Sequence, residues 1–260
     1  MNAIYPLFSS SKGNAIFIGN SQRGILVDCG VSYKRLDGAM KRCGLDISAV
    51  KAVFITHEHG DHIKGLPVLT KRHSLKVYAQ DVTLRRLVAD NMIHENSQAL
   101  EMNISAELFD MKVTAFDTPH DAEQSCGYRV DFADGSSCAV CTDLGCVTDA
   151  VDSAVLGAGT VLLESNYDEE MMLFGSYPRM LKQRICSERG HLSNDASSDQ
   201  AFRLVKHGTR NLILGHLSEE NNTPELAEKT AVNRLSEFKR DRDYFLMVAK
   251  PETTGDMVVI

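Results

Sequence analysis

The chain has 260 residues, 43 % of them hydrophobic, and its 28 Lys and Arg against 35 Asp and Glu give a formal net charge of -7. This composition is typical of a globular protein and excludes fibrous and intrinsically disordered classes. The apolar runs are far shorter than the ~20 residues of a membrane span, and the amino-terminal residues do not read as a signal peptide. The seven scattered cysteines indicate a reducing compartment rather than a disulfide framework. We therefore expect a cytoplasmic protein that forms a single domain over residues 1–260.

Short apolar segments alternate with amphipathic segments along the whole chain. In the first half this alternation predicts helices at 33–43 and 82–91, and strands at 15–18, 25–28, 52–56, 76–79 and 113–117. In the second half it predicts helices at 195–206 and 224–240, and strands at 127–132, 137–142, 160–163 and 211–215. Because near-continuous apolar strands are typical of sheets covered by helices, the pattern predicts an α/β protein.

Polar side chains of the metal-binding kind stand where the apolar strands end. The strand at 52–56 is followed within six residues by four of them, namely His57, His59, Asp61 and His62. Other strand ends contribute Asp28, His120, Asp143 and His216. Imidazole and carboxylate groups bind zinc, manganese and iron, and the spacing of the first four lets one loop serve two adjacent cations. The sequence therefore predicts a metal centre.

This ordered set resembles the metallo-β-lactamase superfamily, and the resemblance covers essentially the whole chain. It implies an αββα four-layer sandwich with two divalent metal ions, zinc, manganese or iron, at one edge of the sheets. The implied ligands of the first ion are His57, His59 and His120, and those of the second are Asp61, His62 and His216. Asp143 would bridge both ions, and Asp28 would orient ligands through hydrogen bonds.

Several further segments resemble the bacterial YycJ/WalJ group within that superfamily. They are residues 7–14, 62–66, 163–168, 175–178, 190–194 and 215–218. The resemblance implies a metal-dependent phosphodiesterase that acts on DNA as a 5′-to-3′ exonuclease. The net charge of -7 gives no general basic surface for nucleic acid, so local cations or bound metals would have to hold such a substrate.

Two residues between Asp143 and His216 favour phosphodiester chemistry. Glu164 and His191 resemble a Glu and a His that assist the leaving group in transfer-RNA 3′-processing nucleases. A hydroxide bridging two cations is a nucleophile at neutral pH, and a His tuned by a Glu can protonate the departing sugar oxygen. We therefore expect Asp61, Glu164 and His191 to take part in catalysis.

Substrate contacts are expected at two places. The loop at 9–14 offers small side chains, a Lys and backbone N–H groups that could cradle a phosphate, through Ser10, Ser11, Lys12 and Asn14. Lys182 lies in a short basic run that also contains Arg179 and Arg184 and could grip a nucleic-acid backbone. A plain turn and a solvated helix face are the alternative interpretations of these two segments.

Two other classes of function are consistent with a metal centre. The same ions could serve a hydrolase of a small substrate, such as a thioester, a lactone or a cyclic phosphodiester. A di-iron oxidoreductase is disfavoured, because that branch of the superfamily usually carries an acidic residue at the position of His59. The metal's identity, the oligomeric state and the choice between DNA and RNA do not follow from the sequence.

Overall fold

The computed structural model describes residues 1–260, which form fourteen strands, nine α-helices and one short 3₁₀-helix at Ile47–Ala49. The strands are β1 (Ala3–Ser10), β2 (Gly13–Gly19), β3 (Gly24–Val27), β4 (Val50–Phe54), β5 (Lys76–Ala79), β6 (Gln98–Glu101), β7 (Ser105–Leu108), β8 (Met111–Asp117), β9 (Cys126–Phe132), β10 (Ser137–Cys141), β11 (Thr160–Glu164), β12 (Asn211–Gly215), β13 (Phe245–Val248) and β14 (Val258–Val259). The helices are α1 (Tyr33–Arg42), α2 (Gly60–Ile63), α3 (Leu66–Arg72), α4 (Asp81–Ala89), α5 (Asp149–Val155), α6 (Glu169–Phe174), α7 (Arg179–Ile185), α8 (Asn194–Lys206) and α9 (Pro224–Arg234).

The chain divides into two compact units. Unit 1 comprises Met1–Ala106, Ala122–Cys126 and Lys250–Ile260. Its sheet has the strand order β14-β1-β2-β3-β4-β5-β6. The neighbours from β1 to β3 are antiparallel, whereas those from β3 to β6 are parallel. Apolar side chains of α1, α3 and α4 share one core cluster with this sheet, because each helix turns a buried stripe toward the strands.

Unit 2 comprises Glu107–Asp121 and Gly127–Ala249. Its sheet has the strand order β13-β12-β11-β10-β9-β8-β7, and the neighbours from β10 to β13 are parallel. The helices α5, α8 and α9 contribute to a core cluster with the central strands of the sheet. These central strands, β10, β11 and β12, are buried almost throughout, as expected for parallel strands covered on both faces.

In both units, parallel strands place their carboxyl ends at one edge of a sheet. In unit 1 this edge receives Asp28 after β3 and His57 after β4. In unit 2 it receives Asp143 after β10, Glu164 at the end of β11 and His216 after β12. Carboxyl ends of parallel strands are the usual location of ligand sites in α/β sheets.

All nine strands and the four helices predicted from periodicity are present. The helix expected at 224–240 is wrong at its end, because α9 stops at Arg234, where Leu235 enters the core and the chain turns. No helix has the length and apolar character needed to cross a membrane. That the whole chain forms one domain stays a prediction.

Candidate metal centre

The candidate metal-binding residues of unit 1 lie on the pair of loops that follow β3 and β4. Asp28 has a φ of 61°, in the left-handed region, where backbone strain is typically found at functional positions. The N–H of Cys29 donates to the carbonyl oxygen of His62 (2.7 Å), and that of Gly65 donates to the carbonyl oxygen of Cys29 (2.8 Å). A Cβ at Gly30 would lie 1.6 Å from the Asp61 carbonyl oxygen. The two loops therefore approach too closely for any residue but glycine at position 30.

The buried carboxylate of Asp28 orients two histidines. Its Oδ2 accepts from His62 Nδ1 (2.8 Å) and from the Thr56 hydroxyl (2.9 Å). Because the Thr56 hydroxyl donates to Asp28, its oxygen is able to accept from His57 Nδ1 at 3.0 Å. With a proton on Nδ1, each imidazole presents the lone pair of Nε2, which is the tautomer that binds a metal.

The four side chains of the His-x-His-x-Asp-His loop converge. The ring centroid of His57 lies 4.6 Å from that of His59 and 4.0 Å from that of His62. Asp61 Oδ2 lies 3.5 Å from His62 Nε2. His57 and His62 are fully buried, whereas His59 and Asp61 are partly exposed. The loop therefore combines two buried, oriented imidazoles with one imidazole and one carboxylate that solvent can reach.

The candidate residues of unit 2 are organised by Glu164. Its Oε1 accepts from His216 Nδ1 (2.7 Å) and from His191 Nδ1 (2.8 Å). Its Oε2 accepts from the backbone N–H groups of Leu144 (3.0 Å) and Leu192 (3.2 Å). Burial alone would raise the pKa of this fully buried carboxyl, but the two histidines and the hydrogen bonds hold it well below its usual range. Glu164 is therefore a carboxylate that fixes the direction of two imidazoles.

Asp143 lies among three histidines. Its Oδ1 is 3.6 Å from His216 Nδ1 and 3.9 Å from both His120 Nε2 and His191 Nδ1. Asp143 and His216 have φ values of 58° and 55°, so both are held in the left-handed region. Burial opposes the charge on His216, but Asp143 and Glu164 outweigh it and raise its pKa. Metal binding at His216 would consequently release a proton.

The third histidine of unit 2, His120, is fixed by the segment that precedes His191. The Nδ1 of His120 lies 3.1 Å from the carbonyl oxygen of Gly190. The Arg189 guanidinium donates twice to the carbonyl oxygen of His120, at 2.8 and 3.0 Å. A Cβ at Gly190 would lie 2.0 Å from the Ile185 carbonyl oxygen, so this approach requires glycine. Burial lowers the pKa of His120 and favours the neutral imidazole that binds metals.

His191 differs from His120 and His216 in its exposure. Its side chain is 20 % exposed, against 1 % for His216 and 2 % for His120. Burial opposes its charge, but Glu164 and Asp143 raise its pKa to about 9. His191 is therefore a protonated imidazole at neutral pH that a substrate can reach.

The residues expected to contact substrate differ in their exposure and in their partners. Ser10 and Asn14 are buried, and Asn14 Nδ2 lies 3.1 Å from both the Ser10 carbonyl oxygen and His62 Nε2. Ser11 and Lys12 are exposed at the tip of the β1–β2 hairpin. Lys182 donates to the carbonyl oxygens of Leu173 and Gly175, both at 2.8 Å, at the end of α6. Phosphate binding by these residues stays a prediction.

Several functional contacts do not follow from the sequence. Thr56 links Asp28 to His57, and Arg189 and the Gly190 carbonyl hold His120. From the sequence, Thr56 is recognisable only as the polar residue between an apolar strand and His57. Nothing in the local sequence distinguishes Arg189 from other arginines, because its partner lies 69 positions away.

The donor set fits divalent transition metals. Ligand atoms of Asp143, Glu164, His191 and His216 lie within 4.8 Å of one another, and these side chains are buried or nearly so. Imidazole nitrogen and carboxylate oxygen suit zinc, manganese and iron, and hydrogen bonds from the remote side of each ring are typical of metal-binding histidines. Histidines of each unit have such hydrogen bonds, as His62 and His216 show.

Comparison with known proteins agrees with this fold. Residues 23–217 match the family model of the β-lactamase superfamily domain. The structure also matches that of the metallo-β-lactamase fold protein YhfI from Bacillus subtilis, with a TM-score of 0.71 and 16 % identity over 97 % of each chain. The chain therefore belongs to the β-lactamase superfamily and has the metallo-β-lactamase fold, as predicted.

Two relatives place the chain more narrowly within this superfamily. Exodeoxyribonuclease WalJ of Streptococcus pneumoniae is 35 % identical over 235 residues, which cover 89 % of this chain and 87 % of the relative. Exodeoxyribonuclease YycJ of Bacillus anthracis is 33 % identical over 233 residues, which cover 89 % of this chain and 88 % of the relative. The expected resemblance to the YycJ/WalJ group is confirmed. The fold and the candidate ligands together indicate a hydrolase that depends on divalent metal.

Proposed function

We propose that this chain is a dinuclear metal-dependent phosphodiesterase that degrades DNA as a 5′-to-3′ exonuclease. The observation that carries the proposal is the Glu164–His191 pair, which holds a reachable, protonated imidazole beside Asp143. Cleavage of a sugar–phosphate bond needs such an acid, because the departing sugar oxygen is a poor leaving group until it is protonated. The names of the WalJ and YycJ relatives support DNA as the substrate.

The metal ions would be held by seven side chains. We assign the first ion to His57, His59 and His120, the second to Asp61, His62 and His216, and a shared position to Asp143. Bound divalent ions would supply a nucleophile at neutral pH and neutralise charge on the phosphoryl oxygens. Asp61 is the partly exposed carboxylate of its loop, so we also place it beside the substrate.

Other residues orient the imidazoles through hydrogen bonds. Asp28 and Thr56 keep the first loop's imidazoles in the metal-binding tautomer, and Glu164 does so for His216. Because Glu164 is fully buried, it acts by positioning His191 and His216 and does not touch substrate. His191 gives its Nε2 proton to the departing oxygen.

The function is tested with end-labelled nucleic acids. Duplex DNA, single-stranded DNA and RNA, each labelled at the 5′ or the 3′ end, are incubated with the protein and Mn²⁺ or Zn²⁺, beside the Asp61→Ala variant. We expect early release of a labelled nucleotide from 5′-labelled DNA only, with no release by Asp61→Ala. Faster turnover of thioesters, lactones or cyclic phosphodiesters than of any nucleic acid would replace the proposal with the small-substrate hydrolase.

Replacement of Asp143 tests the assignment of a shared ligand. We expect about two divalent ions per chain in the parent protein and fewer than one in Asp143→Ala, because both ions lose a ligand. Elemental analysis after reconstitution measures the content, and Asp149→Ala, an exposed aspartate on α5 of the same unit, serves as the control. Loss of a single ion in Asp143→Ala would show that this carboxylate serves one metal only.

Asp28→Asn tests orientation of the ligands without removing one. The amide keeps the size of the side chain but cannot accept every hydrogen bond that Thr56 and His62 offer. We expect metal affinity to fall by roughly 10- to 100-fold, as for other residues that orient ligands. Competition with a chelator gives the affinity, and Asp46→Asn is the matched control, since Asp46 holds Ser48 on the same unit. Equal affinity in Asp28→Asn and parent would contradict the role.

We also propose a cytoplasmic location. All seven cysteines are free thiols, and four of them are fully buried within the two units. Burial raises the pKa of the Cys138 and Cys141 thiols far above their usual range, so these thiols are inert core residues. Free thiols are typical of proteins that work in a reducing compartment.

A further inference from the structure

One surface of unit 1 carries positive charge although the whole chain is acidic. From residue 62 to residue 80 the sequence has no Asp or Glu, yet it contains Lys76 at the start of β5 and three cations on or beside α2 and α3, namely Lys64, Lys71 and Arg72. These three are exposed. We call these three residues the α2–α3 strip.

The strip begins beside the His-x-His-x-Asp-His loop, which we call the metal loop, and continues along α3. Lys64 and Gly65 keep right-handed helical dihedral angles between α2 and α3, although the N–H of Gly65 donates to the Cys29 carbonyl oxygen and interrupts the helix there. The three cations share the solvent side, because Ile63, Leu66, Leu69 and Thr70 of the same segment are buried. At about 1.5 Å per residue the strip spans about 12 Å, the length of about three phosphates along one strand of a duplex.

The cations of the strip form no ion pairs, unlike four arginines of the same unit. Arg35 and Arg42 share Glu252, Arg85 pairs with Asp81 and Arg86 pairs with Asp90. None of Lys64, Lys71 and Arg72 has a carboxylate within 4.0 Å of its charged group. Their charge is therefore available to an anionic ligand.

Arg72 is held in place by a neutral partner. Its guanidinium carbon lies 4.7 Å from the centroid of the Tyr33 ring, and the Tyr33 hydroxyl lies 3.0 Å from His73 Nε2. A cation–π contact fixes the position of a guanidinium but leaves its positive charge intact. The arrangement is thus suited to hold an anion and costs less side-chain entropy on binding than a freely rotating arginine.

We propose that the α2–α3 strip binds the phosphate backbone of the DNA substrate and leads the strand away from the metal loop. This inference rests on the proposed nuclease function. It moves the main cationic contact from the run around Lys182 to the strip, because Arg184 of that run pairs with Asp121, whereas no cation of the strip has a carboxylate partner.

The test compares two variants that lose the same charge. Lys71→Gln/Arg72→Gln changes the strip and leaves Lys64 beside the metal loop untouched. Lys206→Gln/Lys229→Gln changes exposed lysines on α8 and α9. Michaelis constants are measured on duplex DNA at several salt concentrations and on an aryl phosphodiester, with Lys71→Gln as a third variant that keeps the stacking on Tyr33.

The strip variant is expected to raise KM for DNA and to lower kcat/KM on DNA relative to that on the aryl phosphodiester. The slope of log affinity against log salt should fall by about 2 in the double variant and by about 1 in Lys71→Gln, because each removed cation leaves about one phosphate without its partner. If the parent cleaves DNA and the strip variant matches the α8–α9 variant in KM and slope, the inference is wrong and the nuclease function stands. If the parent neither binds nor cleaves DNA, both are wrong.

Discussion

His191→Ala is expected to lower the turnover of duplex DNA by roughly 100- to 10,000-fold, the usual contribution of a general acid, and to leave metal content unchanged. The geometry gives the reason. Glu164 fixes Nδ1 at 2.8 Å, and the side chain is 20 % exposed, so Nε2 is the nitrogen that a departing oxygen can approach. The variant leaves Glu164 bonded to His216 and to two backbone N–H groups, so the fold should persist.

The leaving group distinguishes an acid from a ligand. An aryl phosphodiester releases a phenolate that needs no proton, so His191→Ala should recover part of its activity on that substrate. His207→Ala is the matched control, since His207 is an exposed histidine of the same unit whose Nδ1 bonds a helix carbonyl oxygen. Loss of a metal ion, or an equal loss of activity on both substrates, would show that His191 is a ligand or a structural residue.

The pH dependence follows from the same assignment. An acid must be protonated to act, and Glu164 and Asp143 raise the pKa of His191 to about 9 against the opposing effect of burial. Turnover of DNA should therefore decline on the alkaline side as His191 loses its proton. Because bound metal cations would oppose the positive charge of His191 and lower its pKa, this decline is expected at or below about pH 9. The aryl phosphodiester should show no such alkaline limb.

The sequence predicts the part of the site that local patterns encode. Strands β4, β10 and β12 are short apolar runs that each end near a polar residue of the metal-binding kind, and parallel pairing brings such ends to one sheet edge. The roles of Asp28, Glu164 and His191 follow from resemblance alone, because no periodicity or spacing reports which carboxylate meets which imidazole. The structure adds their contacts: Asp28 with His62, and Glu164 with both His191 and His216.

What the sequence could not predict depends on contacts between distant residues and on backbone strain. Asp28, Asp143 and His216 adopt the left-handed conformation, which is uncommon for any residue but glycine and which no sequence pattern at these positions announces. The basic run at 179–184 has the composition of a nucleic-acid contact, but Arg184 pairs with Asp121, which lies 63 positions away. The charge of the α2–α3 strip, by contrast, becomes evident only from the structure, which shows that no carboxylate lies within 4.0 Å of its charged groups.

Glu164→Ala is expected to have the widest effect of any single substitution, because one carboxylate bonds both His216, the proposed metal ligand, and His191, the proposed acid. Its removal leaves four donors without their acceptor in a fully buried position. Breaking a buried charged pair in this way typically costs about 3–5 kcal/mol of folding stability. Metal affinity should fall by roughly 10- to 100-fold through loss of ligand orientation, and DNA turnover should fall at least as far as in His191→Ala.

Glu164→Gln separates positioning from stability. The amide keeps the volume and one acceptor oxygen but turns an NH₂ group toward two of the four donors, so the variant should unfold at a urea concentration between those of Glu164→Ala and the parent. The amide cannot support two imidazole N–H groups with a negative charge. Loss of that charge lowers the pKa of His191, so the alkaline decline in DNA turnover should move to lower pH, and a structural role alone would not move it. Glu169→Gln, which alters a carboxylate bonded to Ser193 in the same unit, controls for the substitution. A Glu164→Gln variant with the parent's pH profile and metal affinity would show that this carboxylate only fills space, and His216 and His191 would then owe their orientation to packing.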